Sequence, residues 1–181
     1  MLKRIAILFG IVLTLGLQGC LSFGTGLQSY TDSYAGYEFL YPNGWVEVDV
    51  SGSGAANVVF HDIIHETENV SVVTSEVPEG ITLEDLGSPT DVGYKLSKSI
   101  NALAAGDRDV TLVNAQTIDR GDKTYYILEY SADLPAGPRH NLASAIVRRG
   151  KLFTFNASTR EDRWDKVKAL LQQSVASFKV Y

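Results

Sequence analysis

Two histidines four residues apart, His61 and His65 in the run HDIIHETE, stand beside Asp62 and Glu66 and are side chains that can ligate a metal. On a helix that spacing places both imidazoles on one face, where they can share an ion. The surrounding residues read instead as a strand running into a polar loop. In an extended chain the two rings lie about 13 Å apart, too far for one ion, so adventitious surface binding is the expectation. The other reactive group is a thiol: Cys20 is the only cysteine among 181 residues. With no partner it makes no internal disulfide, and a zinc ribbon is equally out of reach. No G-x-S-x-G elbow, H-E-x-x-H or phosphate-binding G-x-x-x-x-G-K occurs, and SGSG at 51–54 reads as a flexible turn. No catalytic residue is expected, and no enzyme.

The residues ahead of Cys20 explain its position. Lys3 and Arg4 precede an apolar run from Ile5 to Gly16, and a small residue, Gly19, sits directly before the cysteine. That order is a secretory signal. The run spans roughly 18 Å as a helix, well short of a bilayer's hydrocarbon core, so removal is expected rather than permanent insertion. Leu17 three before the cysteine and Gly19 beside it suit a bacterial lipoprotein signal, with Gln18 the imperfect position. On that reading residues 1–19 are the signal, Cys20 is lipidated, and 20–35 form a flexible tether rich in Gly, Ser and Thr. The alternative is an ordinary signal peptide that happens to contain a cysteine there. Residues 36–181 suit one domain with a single core.

Charge is uneven. The whole chain carries minus five, and without Lys3 and Arg4 minus seven, yet residues 139–181 hold nine Lys and Arg against three Asp and Glu. A basic segment on an acidic body suits an acidic protein surface better than nucleic acid, although a solvated charged helix also accounts for part of it. Arg148, Arg149, Lys151, Arg160, Arg163 and Lys166 are therefore the candidate partner-binding residues.

The elements that must position these groups are legible in part. GYEFLYPNGWVEVDV reads as two paired strands about the Pro42-Asn43-Gly44 turn; NVVFHDI and NVSVVTSEV add two more. GSPTDVGYKLSKSINALA carries a helix start, with Ser88 at the cap, Pro89 in the first turn and Asp91 three after the cap. Two long strands follow across Arg120-Gly121-Asp122. HNLASAIVRRGKLFTFNAS is a hairpin turning at Arg149-Gly150. The final helix shows an apolar stripe of Trp164, Val167, Leu170, Leu171 and Val175 continuing to Phe178. The predicted class is α+β, a mostly antiparallel sheet covered by helices.

YEFLYPNGW, VVFHD, NVSVV, GSPTDVGYKL, TYYILEY, HNLASAIVRRGKLFTFNAST and EDRWDKV, in that order, resemble the PsbP family in its cyanobacterial lipoprotein form. The resemblance implies an α-β-α sandwich and a monomer tethered by its lipid to the lumenal side of the thylakoid membrane. Its implied partners are photosystem II subunits, and the implied role is assembly or stabilisation rather than catalysis. The plant form favours calcium and chloride retention at the oxygen-evolving centre. Here a short tether replaces the plant protein's longer arm, which puts that role in doubt.

The resemblance also brings a metal site, with His140 and Asp162 at the corresponding positions. No cofactor is required on this reading, but weakly bound Zn²⁺ or Mn²⁺ is an option, and a lumenal protein that delivers or buffers such ions is the alternative function. Two protein ligands are few for either ion, so such a site would be weak, water-filled or completed by another molecule. Asp162 has a second reading, because Thr159 and Asp162 form a T-x-x-D pattern that caps the last helix. His140 reads equally well as a loop histidine.

Overall fold

The computed structural model describes residues 26–50, 52, 56–103 and 108–181. In chain order its strands are β1 (Leu27–Asp32), β2 (Tyr37–Pro42), β3 (Trp45–Val48), β4 (Val58–Asp62), β5 (Asn69–Glu76), β6 (Asp109–Arg120), β7 (Lys123–Asp133), β8 (Arg139–Arg148), β9 (Lys151–Arg160) and β10 (Lys179–Val180). Helix α1 (Pro89–Leu103) lies between β5 and β6, and α2 (Trp164–Ser177) between β9 and β10. Short 3-10 turns, Glu84–Leu86 and Glu161–Arg163, precede the two helices.

Seven strands form the main sheet in the order β3-β4-β5-β9-β8-β7-β6, and β1-β2-β10 form a second, smaller one. Every pairing is antiparallel. The predicted α+β class and central antiparallel sheet are what the chain adopts. The main sheet is apolar on both faces because its strands alternate. On β9, Phe153, Phe155 and Ala157 enter one core with Leu171, Val175 and Phe178 of the α2 segment, while Leu152 enters the other. On β7, Tyr125 faces the first core; Tyr126, Leu128 and Tyr130 face the second, under Val92 of α1. The small sheet closes the first core with Tyr37 and Phe39, and the rings of Phe39 and Phe155 lie 4.5 Å apart. Each such ring buries a large apolar area, and aromatic pairs add about 1 kcal/mol beyond it.

The start of α1 is the expected capping box. The Ser88 hydroxyl donates to Asp91 Oδ2 at 2.6 Å, and the Asp91 N–H donates back to Ser88 Oγ at 3.2 Å. The Ser88 hydroxyl and the Ser88 N–H, which also donates to Asp91 Oδ2 at 3.0 Å, hold the Asp91 carboxyl below its ordinary pKa. The β8–β9 turn also forms as expected, with both Arg149 (φ 52°) and Gly150 (φ 68°) left-handed, the twist that a two-residue hairpin needs.

Two expectations are corrected. β2 and β3 do not pair with each other: the Asn43-Gly44 turn passes the chain from the small sheet to the edge of the main one. A tight turn signal fixes a change of direction but not which strand lies alongside. The stretch read as tether, moreover, contains β1, paired along its length with β2 from Leu27↔Pro42 to Asp32↔Tyr37. A domain boundary at residue 36 is therefore too late by nine or ten residues. Cys20 and the signal at 1–19 lie outside the described residues.

Candidate functional site

β8, the end of β9, the 3-10 turn and the first residue of α2 converge on His140. Its ring is buried and stacked on Trp164, with centroids 3.8 Å apart and planes 11° from parallel. Nε2 lies 2.7 Å from Glu129 Oε1 and Nδ1 lies 3.1 Å from Glu161 Oε2. A neutral imidazole has one N–H and donates to one of these; only the imidazolium donates to both carboxylates. The arrangement ties β7, β8 and the entry to α2 into one unit.

Asp162, the other residue expected to ligate, is not among the hydrogen-bond partners of His140. The carboxylates at His140 sit on opposite edges of the ring, so one ion cannot reach both. Asp162 is engaged elsewhere, forked by Arg160 at 3.0 and 2.6 Å. His61 lies in β4, paired with Asn69, and His65 in the turn that follows. Among the described residues, no group of three or more His, Cys, Asp or Glu is placed to hold a metal ion. The donor set thus does not fit a Zn²⁺ or Mn²⁺ centre built from the protein alone. The capping expectation for Asp162 is also corrected. Helix α2 begins at Trp164 behind a 3-10 turn, its cap position is Arg163, and no side chain caps it. Thr159 donates its hydroxyl instead to Glu68 Oε1 at 2.9 Å.

Glu68 is the residue that sequence reasoning missed. It is 2% exposed and ion-paired to Arg163, whose Nε donates to Oε1. Arg139 clamps the same corner, donating to the Thr67 carbonyl and, at 3.0 and 2.8 Å, to Ser158 Oγ. Burial lowers the Arg139 pKa. No local pattern marks Glu68, since its partner lies 95 positions away.

The basic candidates fall into two groups rather than one patch. Arg148, Arg149 and Lys151 sit at one end of the β8–β9 hairpin; Arg160, Arg163 and Lys166 lie at or beyond the other end of β9. Lys151 and Arg160 are nine residue steps apart along the strand, about 30 Å. Several are also committed within the fold. Arg163 holds Glu68, Arg160 holds Asp162, and Lys151 lies 3.3 Å from Glu76. Arg149 donates to the Ala35 carbonyl at 2.6 Å and lies over the Phe153 ring. At that hairpin end Tyr34 projects fully into solvent beside a cleft of about 450 Å³ lined by Asp32, Asn57, Thr74, Lys151 and Phe153.

A central antiparallel sheet with a helix on each face, and charged side chains at both ends of its strands, defines an α+β domain of the α-β-α kind. The PsbP family model matches residues 25–180, and the chain belongs to that family, a non-enzymatic family of photosystem II proteins. It is 47% identical over 183 residues to CyanoP of Synechocystis sp. (strain ATCC 27184 / PCC 6803 / Kazusa), covering 99% of this chain and 97% of that one. It is 50% identical over 170 residues to CyanoP of Thermosynechococcus vestitus, covering 91% of each. The solution structure of cyanobacterial PsbP (CyanoP) from Synechocystis sp. PCC 6803 superposes with a TM-score of 0.75 at 48% identity, over 92% of this chain and 99% of that one.

Proposed function

We propose that this chain is a lipid-anchored lumenal protein that docks onto photosystem II during its assembly, without catalysing a reaction. The observation that supports this most is the extent of the likeness: close to half of all residues match CyanoP along nearly the whole chain, the signal region included. Cys20, behind Leu17 and Gly19, is the lipidation site on this reading, and the signal before it is removed. Confinement to the membrane raises the effective concentration of an integral partner, the advantage a tethered assembly factor needs.

Docking is assigned to the hairpin end. Tyr34, Arg148 and Lys151 are exposed there, and aromatic and arginine side chains dominate the binding energy of protein interfaces. Affinity isolation of the lipidated chain from solubilised thylakoids tests this. The wild type is expected to bring photosystem II subunits, and the intermediate recovered identifies the stage. Arg148→Glu with Lys151→Glu should reduce that recovery at least tenfold. Undiminished recovery would move the contact elsewhere. Arg149 is unsuited to this test because its guanidinium holds the fold together at Ala35.

A further inference from the structure

Strand β1 shortens the tether. Its residues Leu27–Asp32 are paired with β2, so only Leu21 to Gly26 separate Cys20 from the folded domain. Six residues reach at most about 20 Å even when fully extended. A lipid on Cys20 therefore holds one particular end of the domain against the bilayer, instead of letting the domain turn freely.

That end can be traced through backbone contacts. The Gly26 carbonyl accepts the Asn43 N–H at 2.8 Å, the Asn43-Gly44 turn leads into Trp45, and Trp45 pairs with Asp62. Ile63 and Ile64 come next. Summed along this path, Ile64 lies no more than about 25 Å from Gly26. The two isoleucines are 59% and 79% exposed, side by side at a turn. The turn is built rather than loose: Asp62 Oδ1 accepts the Ile64 N–H at 2.8 Å, the Glu68 N–H donates to the His65 carbonyl at 2.7 Å, and the Asp62 N–H donates to the Glu68 carbonyl at 3.0 Å. Val46, 41% exposed on the edge strand β3, adds apolar surface nearby. Two adjacent branched aliphatic side chains held out into water form a wedge suited to an apolar phase.

We propose that the Ile63–Ile64 turn is a second membrane contact that inserts into the interfacial layer of the bilayer to which Cys20 is anchored. The proposal rests on the lipid-anchor reading above. Asp62 and Glu66 flank the tip, so the matching surface is a neutral lipid headgroup layer rather than an anionic one. The lipid and the tip together fix the domain's orientation and turn the hairpin end with Arg148 outward.

The test uses the lipidated full chain on phosphatidylcholine vesicles carrying spin-labelled lipid. Ile64→Trp is compared with Tyr94→Trp on α1, after subtraction of the wild-type signal from Trp45 and Trp164. Both replaced side chains are exposed, so folding is not at stake. The expected result is that the chain floats with the vesicles and that Trp at position 64 is quenched several-fold more than Trp at 94. A chain that floats but shows equal quenching keeps its anchor and overturns the tip, leaving a protein partner as its occupant. A chain that fails to float overturns the anchor, and the tip proposal with it. In a second arm, Ile63→Ser with Ile64→Ser should lower the steady-state anisotropy of the vesicle-bound domain; unchanged anisotropy would also overturn the proposal.

Discussion

Glu68 shows how one buried charge organises a corner. Its carboxylate takes Arg163 and Thr159, and the neighbouring carbonyl takes Arg139, so four segments depend on it. Removing one member of a buried pair leaves the other unpaired, which typically costs about 3 kcal/mol or more. Arg163→Met should therefore lower unfolding stability by about 3 kcal/mol in urea titration, and adding Glu68→Gln should recover much of it. A second residue-scale prediction concerns pH. Burial alone raises the Tyr130 pKa well above its ordinary value. The unfolded phenol ionises near pH 10 and the folded one higher, so the stabilisation is complete below about 10 and declines as pH rises beyond it. Tyr130→Phe should make the fall of the urea midpoint between about pH 9 and 11 less steep. These roles were illegible in the sequence for a physical reason. Periodicity identifies which side of an element faces inward, but not which distant charge a buried carboxylate meets. Arg163 accordingly reads as surface, and Asp162 as a cap.

At the scale of elements, legibility follows how local the determining chemistry is. The capping box at Ser88 and Asp91 and the Arg149-Gly150 turn are each complete within a few residues, and both form as read. That the sheet is mostly antiparallel was legible from its β-branched runs and turns, whereas which strands lie side by side was not. β1 escaped notice because LQSYTD has no apolar alternation: none of its residues is fully buried, and Tyr30 alone meets the first core, at Phe39 and Phe60. β10, two residues long, is too short to carry a pattern. The β1–β2 turn and the hairpin depend on each other. Gly36 has φ +76°, and a Cβ there would lie 2.6 Å from Arg149 Nη2. Gly36→Ala should cost at least about 1–2 kcal/mol in chemical unfolding from the backbone alone. In a double-mutant cycle Arg149→Ala should couple with it, since the clash is with that side chain. Equal and additive losses would show that the contact is not made.

For the whole molecule, the account rests on polarity of position. One end carries Gly26, the Asn43 turn, Ile63-Ile64 and the Glu68 corner; the other carries Tyr34, Arg148, Arg149 and Lys151. The sequence showed nine basic residues in its last quarter as one cluster, and folding distributes them over β8, β9, α2, β10 and the turns between them, with Lys151 and Arg160 at opposite ends of a strand about 30 Å long. Family membership, by contrast, was legible from ordered segments spread over the whole domain, because a family signature survives without knowledge of which residues touch. Arg148→Glu should weaken photosystem II recovery while leaving the unfolding free energy from urea titration within about 0.5 kcal/mol of wild type, as expected for an exposed side chain.

The most direct measurement is site-specific photo-crosslinking of the lipidated chain in thylakoid membranes, with benzoylphenylalanine placed at position 148 or at position 64. The account predicts photosystem II polypeptides attached at 148 and lipid attached at 64. Photosystem II adducts at 64 with none at 148 would contradict it.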